Sequence, residues 1–104
     1  DMLRRVAGSI REGIRASDVL GRYGGEEFLV FLPRVAPVSL GEVGEKIRRT
    51  IETMPDTRAS VTVSIGIAHG HVGREVDADV KALIYQADEK LLVAKAAGRN
   101  RIEL

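Results

Sequence analysis

Apolar positions along the chain change period several times, and each change marks an element. Leu3, Val6, Ala7, Ile10 and Ile14 recur at helical spacing and predict a first amphipathic helix. Two short apolar runs follow, Asp18 to Tyr23 and Glu27 to Leu32, which read as strands joined through glycines. Pro33 stops the second strand, because its nitrogen has no hydrogen to give a ladder. Leu40, Val43, Ile47, Ile51 and Met54 return to helical spacing. Ser39 is the expected N-cap, with Glu42 three residues on completing a capping box, and Pro55-Asp56 ends this second helix. Val61, Val63, Ile65 and Ile67 then alternate with Thr62, Ser64 and Gly66, predicting a strand from Val61 to Ala68 with one apolar face. His69 to Asp77 is polar and reads as a surface loop. A third helix is expected from Asp79, with Val80, Leu83, Ile84, Ala87, Leu91 and Ala94 inward and Gly98 just past its end. Ile102 to Leu104 makes a short last strand. The order αββαβαβ predicts an α+β fold, with helices packed on an antiparallel sheet.

The two glycines between the first strands carry the most chemistry. Arg22-Tyr23-Gly24-Gly25-Glu26-Glu27-Phe28 places a tight hairpin turn directly before two carboxylates. Tight turns need positive φ, where glycine is unstrained. Neighbouring side chains of a strand point to opposite faces, so Glu26 and Glu27 share one ligand only if Glu26 still belongs to the turn. Mg²⁺ is typically held by one or two carboxylates together with substrate phosphates, and such a cation would bridge these acids to a polyphosphate. A plain Gly-Gly hairpin with solvated acids has the same pattern, and the pattern alone leaves both readings open.

Composition adds bounds. A chain of 104 residues makes one domain at most. Its 44% hydrophobic and 30% charged content is that of an ordinary soluble globular protein. A formal net charge of +1 supplies no global field for nucleic acid or an anionic membrane. The absence of cysteine excludes disulfides and thiolate metal sites. No apolar run is long enough to span a bilayer and no signal peptide is visible, so no membrane contact is expected from this segment. Asp1 falls inside a helix-like pattern, and the chain reads as a piece of something longer.

Gly24-Gly25-Glu26-Glu27-Phe28 resembles the signature of the GGDEF domain in its GGEEF variant, the domain of diguanylate cyclases. Four further segments agree in order and spacing: Leu3 to Ala7, Arg15 to Asp18, Val61 to Ala68, and Ala87-Asp88 through Ala94 to Arg101. The resemblance spans essentially the whole chain. It implies condensation of two GTP into cyclic di-GMP with Mg²⁺ (or Mn²⁺), by a cytoplasmic domain whose parent protein is free to be membrane-anchored. Glu26 is then a metal ligand and candidate general base, and Glu27 a second metal ligand. Gly24 and Gly25 give the substrate access to bare backbone, and Lys95 and Arg99, expected on one side at the end of the third helix, meet its phosphates. Cations at a helix C-terminus are favourable without any ligand, which is the plainer reading of Lys95 and Arg99.

Arg15 and Asp18 match the R-x-x-D of the family's inhibitory product site. An arginine can address N7 and O6 of guanine, and a carboxylate can accept from its N1–H and N2–H₂. Lys46 stands where the family often has an arginine completing that site, and lysine lacks the guanidinium fork. A helix-end arginine and a turn aspartate are also commonplace without a ligand. His69 and His71 read as solvated loop residues. Tyr23 and Tyr85 read as packing residues, and Leu92, where the family usually has tyrosine, as a packing change.

The family fold resembles the palm of nucleotidyl cyclases, a ferredoxin-like arrangement with a strand before the first helix in the middle of the sheet. That strand is not in this sequence, which corresponds to the C-terminal two-thirds of the domain. In the family it carries a metal-binding aspartate, and the guanine-contacting aspartate falls just before Asp1. The chain by itself is therefore expected to be inactive. The alternatives are a module that binds cyclic di-GMP without making it, at Arg15 and Asp18 or at the active half-site, and a fragment that only self-associates. With a middle strand gone, the strand starting at Glu27 and the one from Val61 to Ala68 expose their edges. A homodimer or larger assembly is expected, by edge pairing or exchange of an element between chains.

Overall fold

The computed structural model describes residues 2–55 and 61–104. Helix α1 (Met2–Glu12) leads into a hairpin of β1 (Val19–Gly24) and β2 (Glu27–Phe31), followed by α2 (Pro37–Glu52), β3 (Ile65–Gly66), α3 (Val76–Ala96) and β4 (Ile102–Glu103). The expected order αββαβαβ and the α+β class are what the chain adopts. Asp1 and Asp56, on which two of the expectations fall, lie outside the described residues.

The core forms where the helical stripes meet. Val6 and Ile10 of α1 and Ile47 and Ile51 of α2 make one buried cluster, and Ile51 is 1% exposed. Leu20, Phe28 and Val30 of the hairpin pack against it from one side, and Val61, Val63 and Ile65 join it as well. Burying aliphatic side chains of this size stabilises by about 1.5–3 kcal/mol each, which holds α1, α2, the hairpin and residues 61–65 together. The hairpin is therefore seated on the core through Leu20, Phe28 and Val30.

Local chemistry moves two helix starts from their expected places. Helix α2 begins at Pro37, with Ala36 as N-cap at extended dihedrals and no side-chain cap bond. Proline at the first helical position has its φ already set and loses only an amide that the helix would leave unpaired. Ser39 thus lies inside the first turn, where its amide donates to the Ala36 carbonyl at 2.9 Å, and no capping box forms. Helix α3 starts at Val76, with Glu75 as N-cap. Asp79 instead reaches back from the first turn, accepting from the Gly73 amide at 2.7 Å and tying the loop to the helix.

The strand from Val61 to Ala68 contracts to Ile65–Gly66. The pattern of alternation is present, but β4 supplies a ladder for two residues alone, Ile65 opposite Ile102 and Gly66 opposite Glu103. That ladder is parallel, whereas β1 and β2 pair antiparallel, so the described strands make two two-stranded sheets. Alternation reports a half-buried face. It does not report whether a hydrogen-bonding neighbour exists.

Two close approaches lock α2 onto this second sheet and onto the turn after α3. Gly44 is buried on α2, and a β-carbon there would stand 2.8 Å from Cδ1 of Ile67 and 3.4 Å from Cγ2 of Ile102. Arg48 of α2, its side chain 13% exposed, donates to Oδ1 of Asn100 at 2.8 Å and pairs with Glu45 and Glu52 on its own helix. Asn100 also donates to Glu52. This clamp holds the turn after α3, where Gly98, Arg99 and Asn100 all take positive φ.

Candidate functional site

The hairpin tip is built by a bulge and a two-residue turn. β1 and β2 stay in register from Val19 opposite Phe31 to Arg22 opposite Phe28, and then shift so that Gly24 stands opposite Glu27. Tyr23 is the extra residue, and such a bulge bends the strand and turns its side chain out of the alternation. Gly24 is the last residue of β1, so the turn consists of Gly25 and Glu26 and not of the two glycines. Gly25 alone takes positive φ there, at +43°. The sequence condition for the two carboxylates is met, because Glu26 belongs to the turn and Glu27 opens β2.

These residues wall a shallow cleft of about 460 Å³, lined by Tyr23, Gly24, Gly25, Glu26, Glu27 and Lys95. Lys95 enters from the last turn of α3, so the cleft joins the hairpin tip to a helix 70 residues later in the chain. A β-carbon on Gly24 or Gly25 would meet nothing within 4 Å, so the backbone of the turn is open to a ligand. An ammonium at one wall and two carboxylates at the other give the cleft mixed charge. A polyanion is drawn by Lys95, and a divalent cation by Glu26 and Glu27. No group of three or more histidine, aspartate or glutamate side chains converges among the described residues.

Arg99 is not part of this wall. Helix α3 ends at Ala96, and Ala97 caps it. Arg99 follows the cap at φ +63°, its amide donating to the Ala94 carbonyl at 3.0 Å. The four-residue spacing from Lys95 predicts a common face only on a continuous helix. Here Gly98, at φ +124°, closes the helix between them.

Arg15 and Asp18 come together closely. Nη2 of Arg15 lies 2.7 Å from Oδ1 of Asp18, Nε reaches both carboxylate oxygens at 3.2 Å, and the Arg15 amide donates to Oδ2 at 2.7 Å. The Asp18 side chain is 2% exposed and that of Arg15 is 51% exposed. The Arg15 hydrogen bonds hold the Asp18 carboxyl below its ordinary pKa, against the upward push of desolvation. Arg15 also donates to the Pro33 carbonyl at 2.6 Å, so one guanidinium ties the end of α1 to both ends of the hairpin base. Lys46 does not join this pair. It is exposed on α2, in a hollow of about 610 Å³ formed by that helix's own residues Gly41 to Thr53, in which neither Arg15 nor Asp18 takes part. That hollow is larger than the hairpin cleft, yet a single helix face makes it and no second element closes over it.

His69 and His71 are exposed in the loop before α3, as expected. The tyrosines depart from their reading. Tyr23 is 58% exposed on the cleft wall because the bulge turns it out, and Tyr85 is 66% exposed on the outer side of α3. Arg22 is the residue that the sequence reading passed over. It sits beside the motif, and its guanidinium donates twice to the Gly25 carbonyl, from Nε at 3.0 Å and Nη2 at 2.5 Å. The signal was a long donor three residues before a turn glycine.

The family profile described as "Diguanylate cyclase, GGDEF domain" matches residues 1–101. The chain belongs to the GGDEF family. The GGDEF domain is 32% identical over 111 residues to the diguanylate cyclase DosC of Escherichia coli K12, covering all of this chain and 23% of that protein. Among solved structures, it superposes on the diguanylate cyclase SiaD of Pseudomonas aeruginosa, solved in complex with its activator SiaC, with a TM-score of 0.80 at 32% identity. That match covers 97% of this chain and 39% of SiaD. The GGDEF domain of DgcB from Caulobacter crescentus, solved with c-di-GMP, gives a TM-score of 0.81 at 28% identity, covering 98% and 61%. The chain spans less than a quarter of the length of the curated relative DosC. No helix of the described residues is long and apolar enough to cross a membrane.

Proposed function

We propose that this GGDEF domain condenses two molecules of GTP into cyclic di-GMP at the hairpin cleft. The observation that carries the reading is the convergence of Glu26, Glu27 and Lys95 on the bare backbone of Gly24 and Gly25. In the reaction, the 3′-hydroxyl of one GTP attacks the α-phosphorus of the other and pyrophosphate leaves. A second such step closes the ring. Lys95 holds phosphate charge, and the open turn lets the triphosphate approach the main chain. Glu26 and Glu27 are the residues to hold Mg²⁺ or Mn²⁺, which supplies neutralisation of the phosphates and activation of the attacking hydroxyl. One of the two carboxylates takes the hydroxyl proton. Two GTP molecules facing one another require two such clefts, hence a homodimer with one substrate on each subunit.

Arg15 and Asp18 form the proposed product site. The pair is preassembled and Arg15 is half exposed, with its Nε and Nη2 already engaged by Asp18 and the Pro33 carbonyl. This supports the second reading, a module that binds cyclic di-GMP without making it. Incubating the protein with GTP and Mg²⁺ and separating the nucleotides by chromatography tests the first reading. The 104-residue chain alone should give no cyclic di-GMP. With the upstream segment of the domain restored, cyclic di-GMP should accumulate, and Glu26→Ala or Glu27→Ala should abolish it. Product binding without any turnover by the restored domain selects the second.

A further inference from the structure

We propose that Arg22 is a positioning residue for the phosphates, acting through the turn peptide between Gly25 and Glu26. The inference rests on the reading of the hairpin cleft as a nucleotide site. Arg22 is absent from the cleft wall, although the two residues on either side of the turn, Gly24 and Glu27, line it. Both donors of its guanidinium edge go instead to the Gly25 carbonyl. A carbonyl pulled by two donors fixes the plane of its own peptide. That peptide is trans, so the amide of Glu26 points away from the carbonyl. The carbonyl and the N–H of that peptide lie in one plane and point in opposite directions, so Arg22, by fixing the Gly25 carbonyl, fixes the direction of the Glu26 N–H at a residue that lines the cleft with Lys95. A phosphate oxygen drawn by Lys95 meets a main-chain donor already aimed at it, beside the carboxylate that holds the cation.

Gly25 makes the need for such a strap plain. At φ +43° with open space around its α-carbon, it is the least restrained residue of the tip. Without Arg22 the peptide is free to flip, and the amide turns out of the cleft at no steric cost. The same bond moves the Glu26 side chain, since both leave the same residue. One guanidinium thus sets a donor and a carboxylate together without touching either.

The test is NMR on the ¹⁵N-labelled chain, with Arg22→Ala and Arg22→Lys beside wild type and Mg²⁺ with a non-hydrolysable GTP analogue as the probe. In the free wild type the Gly25 and Glu26 amides should have the order parameters of the flanking strands. Arg22→Ala should lower them, and Arg22→Lys, with one donor left, should fall between. On titration the wild-type Glu26 amide should shift downfield, and Arg22→Ala should weaken the analogue about tenfold, the loss of one charge-assisted hydrogen bond. A purely structural role would lower the melting temperature of Arg22→Ala and spare affinity in the folded fraction. The expected melt is instead within about 3 °C of wild type, as for an exposed surface residue. Unchanged order parameters in Arg22→Ala overturn the strap whether or not nucleotide binds. A wild type that ignores the analogue while Arg22→Ala disorders the turn overturns the nucleotide reading and leaves the strap standing.

Discussion

A β-carbon on Gly66 would stand 2.1 Å from the carbonyl oxygen of Ala87, in the middle of α3. The amide nitrogen of Leu91 would be 2.3 Å away. Both are main-chain atoms, so no rotamer relieves the clash. β3 and α3 lie against each other because residue 66 has no side chain, and α3 carries Lys95 one turn beyond Leu91. The separation of strand and helix therefore sets where the ammonium stands relative to the hairpin.

Gly66→Ala should destabilise the protein by about 3 kcal/mol, at the upper end of overpacking costs because backbone must move. Gly8→Ala is the control. Gly8 lies within α1 with nothing within 4 Å of its β position, and alanine there should stabilise by about 0.5–1 kcal/mol. Urea denaturation measures both, with a change of midpoint at constant slope. Equal midpoints for Gly66→Ala and wild type would show that the strand does not press on the helix.

The acid side of the stability profile should belong to Asp18 and Glu45. Hydrogen bonds from Arg15 hold the first carboxyl below its ordinary pKa, and hydrogen bonds from Arg48 hold the second. A carboxyl depressed in the folded state contributes stability that is complete above its unfolded pKa and is lost as pH falls through the folded value. The loss should begin near pH 4 and deepen below it. Melting temperatures taken at pH 7 and at pH 3 should differ less in Asp18→Asn/Glu45→Gln than in wild type, and the variant should melt lower at pH 7. An undiminished acid slope in the double variant assigns it to other carboxylates.

How much of this was legible beforehand follows from which interactions are local. The stripes of α1, α2 and α3 and the hairpin could be read from side-chain periodicity, because each element buries its own apolar face. The cleft was legible for a different reason: Gly24 to Glu27 are contiguous, and the motif carries its own turn. At the start of α2, Ser39 with Glu42 carries a capping-box pattern that competes with the proline start signal at Pro37. Ladder length at Val61–Ala68 was not legible, since it depends on what lies alongside. The spacing of Lys95 and Arg99 implies one face only while the helix continues, and Gly98 ends it between them. The Arg22 bond to Gly25 and the Arg48 clamp on Asn100 connect a side chain to groups that only the folded path brings near.

Cyclic di-GMP should bind through Arg15, and Arg15→Ala should weaken it by roughly tenfold, the scale of one bidentate contact to a guanine edge. Lys46→Ala should change the affinity little in a single subunit, because Lys46 stands in a separate hollow on α2. Calorimetry on the three proteins decides. Equal affinity in wild type and Arg15→Ala would move the product to the hairpin cleft, where Glu26→Ala and Lys95→Ala should then weaken it.

Assembly should follow from the open edges of the sheets. β2 pairs with β1 on one side, and among the described residues no strand occupies its other side. Val61 and Val63 pack on the same core as Phe28 and Val30, yet residues 61–64 make no ladder among the described residues. Two segments thus share a core and, among the described residues, have no ladder partner on these sides, which is a template for another chain. A second copy is always at hand at the protein's own concentration, and exchange of identical elements is a low-cost route to a dimer. Light scattering at micromolar concentration should therefore give a dimer or larger species. Lysine in place of Thr62, which is exposed on the unladdered segment, should shift the population toward monomer by placing charge at the edge. A wild type that scatters as a monomer and melts cooperatively would show that these edges are closed within one chain.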